Sequence, residues 1–100
     1  MEIFKKQLIS VDIERHLELP NDTKREALPP FQGARENVIP IMFEEAGMEV
    51  DVHCSCRSGR LAFTKGWNRI ASHLSLKAGD VVTLHRKDQG GYKMTVRSAS

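Results

Sequence analysis

Residues 63–80 of this chain have the sequence Phe63-Thr-Lys-Gly-Trp-Asn-Arg-Ile-Ala-Ser-His-Leu-Ser-Leu-Lys-Ala-Gly-Asp80. The apolar residues in its middle follow the i, i+3, i+4, i+7 spacing of one helix face: Trp67, Ile70, Ala71 and Leu74. This spacing predicts an amphipathic helix and assigns Trp67 to the core, rather than to stacking on a nucleic-acid base. The closing Lys77-Ala-Gly-Asp80 predicts a turn.

An alternating pattern precedes this stretch and predicts a strand with two chemically different faces. One face is apolar and the other is polar: Val50, Val52, Cys54 and Cys56 against Asp51, His53, Ser55 and Arg57. Ser58-Gly59 predicts a tight turn, after which residues 61–63 return as a short strand. The two strands form a hairpin with Arg57 and Arg60 at its tip.

Shorter patterns predict the remaining elements. Strands are predicted at residues 4–9, 17–19, 37–43, 81–86 and 92–96, a polar turn at Ser10-Val-Asp12, and a first helix at residues 22–28. Residues 31–36 are predicted as a loop, and Pro40 predicts an edge strand or a bulge. We therefore expect one mainly β domain over residues 1–100, with about seven short strands in a curled sheet and two short helices.

The distribution of charge points to an anionic partner. Between Val52 and Gly79 the chain has no Asp or Glu, although its formal net charge over 100 residues is only +2. The bases in this segment are Arg57, Arg60, Lys65, Arg69 and Lys77, with His53 and His73 beside them. A surface of one sign concentrates ligands of the other sign. The phosphate backbone of a nucleic acid is the ligand that we expect.

Other classes of function lack their sequence features. Cys54-x-Cys56 places both thiols on the apolar strand face, which favours core packing over zinc and a reducing compartment over a disulfide framework. We expect no metal and no cofactor. The chain has no glycine-rich phosphate loop, metalloprotease helix or recognisable nucleophile with its base, so an enzyme is not expected. No run approaches the ~20 apolar residues that span a bilayer. A single domain of this size fits a whole protein and an excised fragment equally.

Several motifs, in order, resemble the plant B3 DNA-binding domain over nearly the whole chain. They are Phe4-Lys-Lys-Gln-Leu-Ile-Ser-Val-Asp12, Leu17-Glu-Leu-Pro20, Leu28-Pro29, Phe63-Thr-Lys-Gly-Trp67, Leu76-Lys-Ala-Gly-Asp-Val-Val82 and Leu84-His-Arg86. The resemblance implies an open seven-stranded β-pseudobarrel with two short α-helices. It also implies a nuclear, non-enzymatic, plant-type transcriptional regulator that binds double-stranded DNA sequence-selectively, without a small-molecule substrate or a membrane.

The resemblance also implies where DNA binds. Members of the family grip the major groove between two arms, which correspond here to residues 6–16 and to the hairpin tip at residues 57–60. The expected DNA-binding residues are Lys6, Ser10, Arg15, His16, Arg57, Ser58, Gly59 and Arg60, with Lys65 and Arg69 at the start of the second helix as phosphate contacts. The first arm is shorter here than in many members, which leaves its base preference open.

Two other functions and one assembly question remain open at this point. The same pseudobarrel resembles the DNA-recognition domains of certain bacterial restriction enzymes, where it would direct a nuclease. Alternatively, it is a protein-interaction barrel that has lost DNA binding. Homo- or heterodimerisation through regions outside this chain would fit either class.

Overall fold

The computed structural model describes residues 1–31 and 35–98, and the seven strands within them form a single β-sheet. The strands are β1 (Glu2–Gln7), β2 (Leu17–Glu18), β3 (Glu36–Phe43), β4 (Met48–Arg57), β5 (Arg60–Phe63), β6 (Val81–Arg86) and β7 (Tyr92–Arg97). The helices are α1 (Ser10–Glu14), α2 (Trp67–His73) and one 3₁₀ turn (Arg25–Ala27). The predicted mainly β fold with seven strands and two short helices is confirmed. Neither α-helix in the described ranges is long and apolar enough to cross a membrane.

The sheet is an open pseudobarrel. Its strand order is β1-β6-β7-β3-β4-β5-β2, and every neighbouring pair is antiparallel except β3 and β7, which are parallel. The two outer strands are thus β1 and β2. The Lys6 ammonium of β1 donates to the carbonyl oxygen of Glu18 in β2 at 2.6 Å and so links the two ends of the curled sheet.

The inner face of the sheet and one face of α2 form the core. Trp67 is fully buried, as the helical spacing predicted, and its ring packs in the same cluster as Phe43 and Phe63. The alternation predicted for β4 is also confirmed, because Val52 and Cys54 are buried while the neighbouring polar residues face outward. Burial raises the pKa of the Cys54 thiol to about 11, so this thiol stays protonated at neutral pH.

The polar turn predicted at Ser10-Val-Asp12 is wrong, because these residues begin helix α1. The Asp12 carboxylate accepts a hydrogen bond from the Ile9 N–H at 2.9 Å, and the Arg15 N–H donates to the Val11 carbonyl oxygen at 2.9 Å. These bonds satisfy backbone groups at both ends of a helix that is too short to show a hydrophobic periodicity.

The helix predicted at residues 22–28 is also wrong and is reduced to the 3₁₀ turn. Leu28 has an extended backbone with ψ of 157°, which is the conformation that the following Pro29 favours. Thr23 folds back instead, and its hydroxyl donates to the Pro20 carbonyl oxygen at 2.6 Å. Pro20 and Pro29, one on each side of this segment, therefore leave room for only one turn of helix.

Pro40 lies in an interior strand, so the predicted edge strand is wrong. Its ladder with β4 runs without a bulge from Glu36 to Phe43. The ladder with β7 begins only at Ile41, however, so Pro40 is paired on one side and its missing N–H costs no bond to β7. The predicted loop at residues 31–36 falls partly on residues 32–34, which lie outside the described residues.

Candidate nucleic-acid interface

The hairpin between β4 and β5 projects two arginines side by side. Its turn has positive φ at both central residues, 52° at Ser58 and 78° at Gly59, as a two-residue hairpin turn with the right-handed sheet twist requires. Arg57 and Arg60 are direct cross-strand partners, so their side chains leave the same face of the hairpin. The Arg25 guanidinium donates to the Gly59 carbonyl oxygen and braces the turn.

Both arginines are accessible to a ligand. The Arg60 side chain is 77% exposed, and its Nη1 lies 3.6 Å from Glu18 Oε1. An exposed ion pair of this kind contributes only about 0–1 kcal/mol, so a phosphate or a base edge can displace it. Arg57 is exposed as well, and within residues 1–31 and 35–98 it has no ion-pair partner.

The two predicted arms face each other across a groove. This groove has a volume of about 330 Å³ and is lined from the first arm by Val11, Arg15 and His16 and from the hairpin by Arg57 and Arg60. The remaining lining residues are Glu18, Ser55, Leu61, Ala62 and Thr64. We call this space the interarm groove. Cationic side chains from both arms border it, together with apolar side chains.

Two further depressions border Arg57 and extend the basic surface. One brings Arg57 and His16 together with Lys65 and Asn68, and the other brings Arg57 together with Ser58 and Arg35. Lys65 therefore adjoins both arms, and its contact with a phosphate stays a prediction. Arg69 does not, because it borders a separate depression formed with Glu49, Asp51 and His73.

Two carboxylates lie within this basic surface. The Glu36 carboxylate contacts His53 Nδ1, and this hydrogen bond, with the nearby charges of His53 and Lys65, lowers the pKa of Glu36. Glu18 is the second carboxylate, and its Oε1 lies 3.6 Å from Arg60 Nη1. These acids come from β2 and β3, so the acid-free run between Val52 and Gly79 did not reveal them.

Lys6 and Ser10 lie apart from the interarm groove. The Lys6 ammonium contacts Asp12 Oδ1 at 3.0 Å in addition to the Glu18 carbonyl oxygen, and its side chain is only 19% exposed. Asp12 is 1% exposed, and its carbonyl oxygen accepts the Trp67 Nε1–H at 2.6 Å. Asp12 thus joins β1, α1 and α2. Ser10 is exposed at the start of α1.

Four residues near the site were not expected from the sequence. Val11 is apolar, and Arg25 and Arg35 lie outside the acid-free segment, so charge patterning gave no signal for them. Asn68 directly follows the core residue Trp67, and the helical period could have placed it on the outer face of α2. The topology alone brings these residues next to the hairpin.

Comparison with known proteins shows the fold. No family model matches this chain, and no curated protein does. Among solved structures, it is similar to the Arabidopsis FUS3–DNA complex, with a TM-score of 0.83, 17% identity and 100% coverage of both chains. It is also similar to a hypothetical Arabidopsis thaliana protein, with a TM-score of 0.71, 18% identity and coverage of 97% of this chain and 90% of that one. The chain therefore has the pseudobarrel fold of the plant B3 domain, the family that its sequence motifs resemble.

Proposed function

We propose that this chain is a single B3-like domain that binds double-stranded DNA sequence-selectively, without catalysis. It would serve a plant-type transcriptional regulator in the nucleus. The observation that carries the proposal is the interarm groove, where Arg15 and His16 face Arg57 and Arg60. The similarity to a domain solved in complex with DNA supports the same partner.

The side chains of the two arms divide into base readers and phosphate contacts. Arg57, Arg60, and Arg15 or His16 would read base edges in the major groove, because a guanidinium can bind guanine O6 and N7 with two hydrogen bonds. Lys65 and the Ser58-Gly59 turn at the rim would contact phosphates, which fix the register of the protein on the duplex.

The other predicted contacts have weaker geometric support. Lys6 is already bonded to Asp12 and Glu18, Ser10 lies on the outer side of α1, and Arg69 borders acidic residues. Their contact with DNA stays a prediction. The proposal does not depend on them, since the interarm groove is formed without any of the three.

The experiment begins with selection of duplexes from a random pool by the full chain, followed by affinity measurements on the enriched duplex. We expect Arg57→Ala and Arg60→Ala each to weaken specific binding by about 1–3 kcal/mol and to relax the preference at one position. Arg57→Lys keeps the charge but loses the two parallel N–H donors of the guanidinium. It should lose the same preference while its affinity for unselected DNA stays equal to that of the unsubstituted chain. Lys77→Ala is the control and should have little effect.

The possible outcomes separate the candidate functions. Unchanged selectivity in both arginine variants would remove the hairpin from the interface. Retention of duplexes without an enriched motif would mean binding driven by charge or DNA shape. Failure to bind any duplex at low salt would favour the protein-interaction barrel.

A further inference from the structure

Val11 is the exposed member of the three apolar residues that line the interarm groove, since Leu61 is buried and Ala62 is half-buried. Val11 is 51% exposed and lines the interarm groove opposite the arginine hairpin. Ile9, two residues earlier, is similarly exposed at 56%, but it is not among the residues that line this groove. The chain therefore offers two comparable apolar side chains, one inside the groove and one outside it.

The backbone holds Val11 firmly in this position. The carbonyl oxygen of Val11 accepts the Arg15 N–H at 2.9 Å. The next residue, Asp12, is buried and bonded to Lys6, to the Ile9 N–H and to the Trp67 indole. A β-branched side chain on a backbone that is already ordered loses little freedom on binding, so its contact with a ligand can contribute to selectivity.

We propose that Val11 contacts the C5-methyl group of a thymine and so selects thymine at one position of the bound site. This inference rests on the proposed function. Thymine is the base that presents a methyl group in the major groove, and an aliphatic side chain recognises it without hydrogen bonds. The arginines around the groove attract the phosphate backbone of the duplex, and Val11 distinguishes thymine from cytosine at the position that it contacts.

Replacement of thymine by uracil tests this directly, because uracil lacks only the C5-methyl group. The probe is the duplex enriched by the unsubstituted chain, with deoxyuridine in place of one thymidine at a time. We expect one such replacement to weaken binding by about threefold to fourfold, the loss of roughly one buried methyl group. Val11→Ala should bind the original duplex more weakly by a similar factor and should not respond to uracil at that position.

Ile9→Ala is the matched control and should keep the full response to uracil. The inference is overturned if no single uracil replacement weakens binding, or if Val11→Ala responds to every replacement as the unsubstituted chain does. Either result leaves the proposed function standing when the enriched duplex still binds selectively. Absence of any duplex binding would overturn both. Thermal unfolding of Val11→Ala at an unchanged midpoint would confirm that the variant is folded.

Discussion

At the scale of single residues, the ion pair between Lys6 and Asp12 shows that a basic residue in the expected arm can have a structural task. Asp12 is 1% exposed, so its charge requires both the ammonium at 3.0 Å and the Ile9 N–H at 2.9 Å. The same ammonium links β1 to β2 through Glu18. Charge alone therefore does not identify the DNA contacts of this chain.

Lys6→Ala should lower the free energy of unfolding by about 2–4 kcal/mol, because it leaves a buried carboxylate without its counter-charge. Lys5→Ala is the control, since Lys5 is exposed on the same strand, and it should change stability by less than about 0.5 kcal/mol. Urea unfolding of both variants gives the comparison. Equal stability of the two would contradict the structural role of Lys6.

The sequence predicted burial better than it predicted polar partners. Trp67 was assigned to the core because its apolar neighbours share one helix face, and periodicity of this kind reports packing directly. The bond from its indole to the Asp12 carbonyl oxygen joins residues far apart in the chain. Nothing in a local pattern encodes such a pair.

At the scale of elements, Gly66 explains why the Thr-Lys-Gly-Trp motif precedes α2. The residues before it continue the ladder with β4, where the His53 N–H donates to the Lys65 carbonyl oxygen at 2.9 Å. The chain then turns sharply into the helix with φ of 89° at Gly66. A Cβ atom there would collide with the Asp51 carbonyl oxygen. Only glycine adopts this positive φ without strain and has no Cβ atom to collide with Asp51.

Gly66→Ala should destabilise the chain by about 3 kcal/mol or more, from the positive φ and the collision together. Gly90→Ala separates the two causes, because Gly90 has nearly the same φ, 91°, but open space around its Cβ position. We expect that variant to lose only about 1–2 kcal/mol. Thermal unfolding measures both, and equal losses would show that the contact with Asp51 is unimportant.

Elements with several periodic residues were predictable, whereas helix α1 and the 3₁₀ turn were not. The strand at residues 81–86 and the helix that begins at Trp67 carry several periodic residues each. Helix α1 has only five residues, and of its two apolar residues Val11 is exposed and Ile13 is half-buried. Its one buried residue is the acid Asp12, so no hydrophobic pattern could indicate a helix there.

At the scale of the whole molecule, the basic surface is formed by residues from widely separated segments. Its arginine and lysine side chains are Arg15, Arg35, Arg57, Arg60 and Lys65. Glu18 and Glu36 moderate the local field. The sequence predicted the basic hairpin and the presence of a barrel. The parallel pairing of β3 with β7 depends on the three-dimensional closure of the sheet, and no local pattern predicted it.

Affinity for duplex DNA should fall steeply with salt. If the protein neutralises about five phosphates on binding, the slope of log affinity against log salt should lie between about −4 and −5. Fluorescence anisotropy over about 50–200 mM salt gives the slope. Lys65→Ala should make it shallower by about one, because Lys65 is the proposed phosphate contact, and Lys77→Ala should leave it unchanged. A flat response would rule out the electrostatic mechanism.

The parallel ladder between β3 and β7 also governs how the chain can acquire its shape during synthesis. Residues 41–43 leave the ribosome long before residues 92–94, and until then one side of β3 has no strand beside it. Forming a contact between such distant segments requires a large loss of chain entropy before any bonding is gained. The nascent polypeptide can therefore complete its sheet only after the seventh strand has been translated. A premature stop ahead of Tyr92 would release a product in which β3 and β6 lack the strand that lies between them.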